Sequence, residues 1–428
     1  MTFDATEITA RKLDREDPLF IYRKRFMIAD PELIYLDGNS LGRLPTDTLP
    51  HLDQVIKRGW GRELIGSWNK GWFREPQNLG ARLAELIGAR PDEVLVCDTT
   101  SINLFKLTAA ALRAQPQRRG IVSDEFNFPS DLYVFQGVID LLDQDHELEL
   151  IRSEDSIHIP DRAVEEALQG DPALVALTHV AFKSAFMYDI KKVTAQAHQA
   201  GALMLWDLSH SIGAVPLELN AWDVDLAVGC TYKYLNGGPG SPAFLYVRKE
   251  LQDELLSPIW GWFGASKPFD FDLEYQPAEG ISRFLVSTPH ILSMEAIRPA
   301  IDLLLEVGID DLREKSVQQS EYLLFLFREW LKPLGYTLGS PTDPDKRGSH
   351  ISLRHPEAYR ICRALIDPDP EESNLRVIPD FRAPDNIRLG IAPLYTSYRD
   401  IHRALDRMRQ VVSEEIYQGY PEEQLTVT

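Results

Sequence analysis

From Glu93 onward, short apolar runs alternate with longer amphipathic stretches. "EVLVC" reads as a buried strand leading through "DTTS" into the helix "INLFKLTAAALRA", where the hydroxyl residues sit where they can cap free N–H groups. "GIVSD" repeats the strand and "PSDLYVFQGVIDLL" the helix, with Pro129 suited to a first helical turn. "ELELI", "ALVALTHV", the helix "KKVTAQAHQAG", "ALMLWDLSH" and "VDLAVGCTYKY" continue the series. Such alternation predicts an α/β fold with a mainly parallel sheet covered on both faces, and it makes the C-terminal ends of the strands the expected site.

On either side the pattern changes. The first ninety or so residues are mixed, with the turn-rich "LIYLDGNSLGRLP" and three close tryptophans, Trp60, Trp68 and Trp72. After Pro289 a helical stretch is expected over roughly 291–334. Strands follow around "SHISLRH" and "NIRLGI", with helices "AYRICRALI" and "SYRDIHRALDRMRQVVSEEI", which together predict a smaller α+β domain. No internal repeat or low-complexity segment interrupts this order.

Composition narrows the picture. A chain of 428 residues with 44% hydrophobic content can bury a large core in two or three domains. The net charge of −20, from 65 acidic against 45 basic residues, opposes binding to nucleic acid or to an anionic membrane. Three separated cysteines, Cys97, Cys230 and Cys362, form neither a disulfide framework nor a metal-ligand spacing, so no metal is expected and a reduced cytoplasm is. No apolar run of about eighteen residues appears, so no membrane span or secretory leader is expected.

Candidate chemistry gathers at the predicted strand ends. Lys233, inside Tyr232-Lys233-Tyr234, follows an apolar run, where desolvation can turn its amine into a nucleophile; the alternative is a solvated surface lysine. Asp207 ends the preceding strand, followed by His210 and Ser211. An acid and a lysine on neighbouring strand ends suit pyridoxal phosphate, which needs a lysine for its aldehyde carbon and a carboxylate for its ring nitrogen. Taken singly, Asp207 reads equally as a helix cap or metal ligand, and His210 as a structural hydrogen-bonding residue. Thr100 and Ser101 open a helix whose free N–H groups can hold a phosphate or simply be capped. Phe128 can stack on a ring and Asp131 can hydrogen-bond beside it, or the segment is an ordinary loop.

Taken together, "WDLSHSIGAVPLELN" and "GCTYKYLNGGPGSPAFLYV" resemble the kynureninases, fold-type-I pyridoxal phosphate enzymes related to the class-V aminotransferases. "YLDGNSLGRLP", "DTTSINLFK", "FNFPSDLYVFQG", "GWFG" and "IRLGIAPLYTSY" occur in the family's order over nearly the whole chain. The resemblance implies a seven-stranded, mainly parallel sheet in a large cofactor domain over 61–290. It further implies a small α+β domain over 291–428, to which an N-terminal segment, 1–60, contributes.

The implied activity is hydrolytic cleavage of the Cβ–Cγ bond of L-kynurenine or its 3-hydroxy form, to anthranilate or 3-hydroxyanthranilate and L-alanine. By the same resemblance Lys233 forms the Schiff base, Asp207 partners the ring nitrogen with His210 beside it, and Tyr232 touches the phosphate and relays protons. Thr100, Ser101, Phe128, Pro129, Ser130, Asp131 and Thr178 match cofactor-contacting positions. Trp262 and Thr288 match residues delivered by a neighbouring subunit, which implies an obligate homodimer with shared sites. Arg388 matches the arginine that pairs with the substrate α-carboxylate, a bidentate task suited to guanidinium, and Ser40 and Trp68 are expected near the substrate ring. One departure is Ala265, which follows "GWFG" where several family members carry histidine. A desulfurase or aminotransferase would share Lys233 and Asp207, and a non-enzymatic binding protein could share the fold.

Overall fold

The computed structural model describes residues 3–371 and 373–423. At the centre of its larger body a seven-stranded sheet runs, in spatial order, Val94–Val96, Phe244–Val247, Leu226–Gly229, Leu203–Asp207, Pro172–Thr178, Gly120–Asp124 and Glu147–Ile151. Neighbours are parallel except around Phe244–Val247, which is antiparallel to both of its partners. The physical reason lies in the connection. Residues 230–243 form a glycine- and proline-bearing return without a crossover helix, and only an antiparallel neighbour can be reached that way.

Central strands are apolar throughout because helices cover both faces. Every residue of Pro172–Thr178 is buried, whereas the edge strand Glu147–Ile151 keeps exposed Glu147 and Glu149. The period of two sorts the side chains: Val175, Leu177, Met204 and Trp206 join one core, and Leu174, Ala176, Leu205 and Val228 the other. Helices Thr100–Ala114 and Pro129–Leu142 cover the second face through Leu104, Leu107, Phe135 and Val138, and Ile190–Gln199 covers the first. Register aligns the strand ends, with Thr178 opposite Asp207 and Asp207 opposite Val228, so the loops that follow open on one edge.

A second body holds the antiparallel sheet Asp380–Arg382, Asn386–Leu389, Ile351–Arg354, Thr337–Leu338 under helices Ala358–Ile366 and Tyr398–Ser413. The N-terminal strand Leu33–Tyr35 pairs in parallel with Arg376–Ile378, and Ala10, Ile34 and Leu36 enter this core. The helical stretch expected over 291–334 is broken at Gly308, whose φ of +87° ends one helix, Ile291–Val307, before Ile309–Leu326 begins. The first of these packs Met294, Ile297, Ile301 and Leu304 into the core beneath the large sheet. By packing, Ile291–Val307 sides with the large sheet, and Leu312 of the next helix still enters the same core.

Candidate active site

Where the strand ends meet the second body, a cavity of about 230 Å³ opens, walled by side chains from both. Lys233 reaches it from a tight turn held by hydrogen bonds from the Asn236 N–H to the Lys233 carbonyl (2.9 Å) and from the Gly237 N–H to the Thr231 carbonyl (2.9 Å). The N-terminal turn docks on the same loop, its Gly42 N–H donating to the Tyr232 carbonyl at 2.8 Å. A Cβ on Gly42 would collide with the Lys233 carbonyl and Asn236, so only glycine permits this approach.

The Lys233 amine donates to His210 Nε2 at 2.9 Å. Burial first, then the charges of Lys233, the His350 ring and Arg388, push the His210 imidazole well below its usual range, so it is neutral and accepts at Nε2. Asp207 closes its strand with Oδ1 accepting from the Ser209 N–H (2.9 Å) and hydroxyl (2.6 Å). Burial raises the Asp207 carboxyl, while the Ser209 hydrogen bond and the Lys233 charge act against it. Asp131 is raised further, by burial and by Asp207, and its Oδ2 has no partner among the described residues.

Asp131 and Asp207 put two buried carboxyls at one part of the cavity, and a protonated ring nitrogen beside Asp207 suits them. The first turns of Thr100–Ala114 and Pro129–Leu142, the latter carrying Asp131, converge on the cavity. Thr100, Ser101 and Ser130 line the cavity there, and the Ser101 and Ser130 hydroxyls lie 3.0 Å apart. Two helix N-termini with hydroxyls suit a phosphate. Pro129 holds the first turn of its helix but does not line the cavity. Phe128 lines it, edge-on to Phe182 at 5.4 Å.

From the second body comes Arg388, 1% exposed. Its Nε donates to Asp380, Nη1 to the Phe182 carbonyl and Nη2 to the Ser40 hydroxyl (3.1 Å). Tyr232 completes the wall; burial pushes its phenol up, so it is a neutral donor at physiological pH.

Thr178, Trp68, Trp262 and Thr288 do not reach the cavity of their own chain. Thr178 is buried beside Asp207, its N–H donating to Asn127 Oδ1 at 2.8 Å. Trp68 packs against Trp72 and Phe263, each at 5.9 Å, rather than against the cavity. Trp262 and Thr288 are exposed, and Ala265 lies with Trp262 in a separate groove. The expected cofactor position of Thr178 and ring position of Trp68 are therefore not brought to the cavity within one chain. Sequence reasoning missed Asn39, Phe182, Ser209 and Arg382 in its walls. Asn39 and Ser209 sit inside the motifs "DGNSLG" and "DLSHS", and Phe182 in "LTHVAFKSAF", the loop just past the strand Pro172–Thr178; Arg382 carried no signal, since folding alone brings it there.

A family model described as aminotransferase class-V matches residues 34–357, and one described as kynureninase C-terminal domain matches residues 312–408. A curated kynureninase from Burkholderia mallei (strain SAVP1) is 44% identical over 419 residues, 97% of each chain. The kynureninase from Pseudomonas fluorescens is 42% identical over 410 residues, 95% of each. Among solved structures, the apo cysteine desulfurase from Thermococcus onnurineus NA1 superposes with a TM-score of 0.77 at 18% identity, covering 94% of this chain and 98% of that one. A C-DES variant with glycine covalently linked to its PLP cofactor gives 0.73 at 17%, covering 88% and 96%. At these identities the structural likeness establishes the fold.

Proposed function

The chain belongs to the kynureninase family of pyridoxal phosphate-dependent hydrolases, and we propose that the cavity at the strand ends is where its reaction takes place. That reaction is hydrolysis of the Cβ–Cγ bond of L-kynurenine, or of its 3-hydroxy form, to anthranilate or 3-hydroxyanthranilate and L-alanine. The observation that carries the placement is the convergence of the Lys233 amine, the Asp207 carboxylate and two helix N-termini on one buried space.

When bound, pyridoxal phosphate supplies the electron sink that makes the carbons next to the amine acidic. In this reading Lys233 anchors its aldehyde carbon and moves the Cα proton, with neutral His210 as its hydrogen-bond partner. Asp207, held by Ser209, keeps the ring nitrogen protonated. Thr100, Ser101 and Ser130 would hold the phosphate, Phe128 and Asp131 would border the ring, and Thr178 stands opposite Asp207 in the adjacent strand without lining the cavity. Arg388 takes the substrate α-carboxylate, with Ser40 at its side. The Tyr232 phenol donates to the oxyanion that develops when water adds to the γ-carbonyl, a contact worth about 3 kcal/mol by analogy with other oxyanion donors.

The exposure of Trp262 and Thr288 supports a homodimer in which the partner subunit's Trp262 and the partner subunit's Thr288 complete the phosphate end. Exposed Trp260, Phe269, Phe271 and Leu273 lie in or beside the same groove. Trp68 touches Phe263, which touches Trp262, so delivery of Trp262 would carry Trp68 with it. A desulfurase reading needs a cysteine at the substrate, whereas Cys97, Cys230 and Cys362 are all buried and none lines the cavity. The same three free thiols support a cytoplasmic setting. No helix among the described residues is long and apolar enough to cross a membrane.

The test is to mix protein, pyridoxal phosphate and L-kynurenine and to follow anthranilate fluorescence. Sustained release supports the reading. Bound cofactor with no anthranilate would sink it.

A further inference from the structure

We infer that the side-chain amide of Asn39 is a second contact for the substrate α-carboxylate, standing beside Arg388. The inference rests on the reading of the cavity given above. Asn39 lines that cavity and is 0% exposed, yet neither its Oδ1 nor its Nδ2 has a hydrogen-bond partner among the described residues. Leaving a buried amide unpaired is costly, and native folds keep few such groups unless a ligand uses them.

The surroundings are built to hold the amide where it is. Gly390, two residues past Arg388, meets Asn39 so closely that a Cβ there would run into Oδ1 and come within 2.9 Å of Cγ. A bridge between Asp37 and Gly390 locks the turn against the strand that carries Arg388. Ser40, the next residue, accepts from Arg388 Nη2 at 3.1 Å, so consecutive residues of the turn address the guanidinium and the space beside it. The positive charge of Arg388 is already shared with Asp380. A neutral N–H donor next to it adds a directed hydrogen bond to a carboxylate without adding a charge that burial would penalise.

Substrate fragments test this on the holoenzyme. L-Alanine keeps only the amino-carboxylate end of the substrate, and 2-aminoacetophenone keeps only the aryl ketone. Asn39→Ala is expected to raise the L-alanine inhibition constant and the KM for L-kynurenine about tenfold or more while leaving 2-aminoacetophenone within about twofold. Asn39→Asp, the same shape with the wrong charge, should weaken L-alanine further still. Calorimetric binding of L-alanine gives a readout independent of turnover, and the Tm of Asn39→Ala should not fall, because no protein hydrogen bond is lost. Should Asn39→Ala prove poorly folded, Gly390→Ala, which displaces the amide without removing it, should give the same split between the fragments. Equal weakening of both fragments, no weakening of either, or weakening of the aryl ketone alone would overturn the assignment. If wild-type protein releases no anthranilate, it is the reading of the cavity that fails, which the wild-type control separates from a failure of Asn39.

Discussion

Two lysines stand within the same body, and their surroundings are opposite. Lys106 is 0% exposed and fully tied: its ammonium meets Asp98 Oδ2 at 2.7 Å, the Phe284 carbonyl at 2.8 Å and Cys97 Sγ at 3.5 Å. Lys233 hydrogen-bonds His210 at 2.9 Å, stands over the Tyr232 ring at 6.0 Å and otherwise faces the cavity. An ammonium has three hydrogens to satisfy. Lys106 has spent all of them on the scaffold, bracing Asp98, whose φ of +49° turns the chain from Val94–Val96 into the N-cap Thr99. Lys233 has most of its capacity left for a ligand. Burial alone thus does not mark a reactive lysine; unspent hydrogen-bonding capacity next to a cavity does.

Lys233→Ala should give the largest break in this comparison. Turnover should fall about 10⁴-fold or more while thermal unfolding stays near wild type, measured by anthranilate release and by calorimetry. Asp207→Asn should leave the fold intact and cut kcat on the order of 10³-fold, since a neutral amide no longer favours a protonated ring nitrogen; near-normal kcat would remove Asp207 from the chemistry. Lys106→Met should behave the other way round. It strands Asp98 and the Phe284 carbonyl and should cost about 3 kcal/mol of stability, while kcat measured well below the unfolding transition stays within about threefold. A Lys106 variant that is stable but inactive would erase the distinction.

Asp124 extends the same contrast to a carboxyl, with an effect confined to mildly acidic pH. It is buried, tied by the Tyr188 hydroxyl at 2.5 Å and by the N–H groups of Phe126 and Asn127, and burial still pushes it up to about 6. Because its folded value lies above its unfolded one, the folded chain holds this proton more tightly, and stability falls as pH rises from about 4 to about 6. Asp124→Asn should flatten that part of the profile by up to about 3 kcal/mol, read from denaturant midpoints across the range.

Some of this was readable from residue order alone. Strand-helix alternation is a local property, so the parallel sheet could be read from "EVLVC" through "VDLAVGC", and Lys233 and Asp207 were readable because each follows its own apolar run. Phe244–Val247 looks like any other apolar strand; its reversed direction depends on the missing crossover helix. The Gly308 break lies within an otherwise continuous helical pattern, and which core Ile291–Val307 joins depends on helices distant in sequence. Arg382 enters the cavity only because the second body docks against the sheet, a long-range event with no local periodicity, whereas Phe182 stands in the loop just past the strand Pro172–Thr178. Trp68 was expected near the substrate ring from the resemblance alone; within one chain its ring packs against Trp72 and Phe263.

The pairing of Leu33–Tyr35 with Arg376–Ile378, together with the seat of Gly42 on the Tyr232 loop, has a consequence for biogenesis. The strand Leu33–Tyr35 must wait for a partner made more than 300 residues later before it has a strand to join, so the central sheet can form during synthesis well before the pocket is finished. A chain stopped short of residue 376 would hold a preformed sheet and a loose, sticky amino terminus. Nonsense truncations near the end should therefore be cleared as misfolded protein rather than persist as slow enzymes.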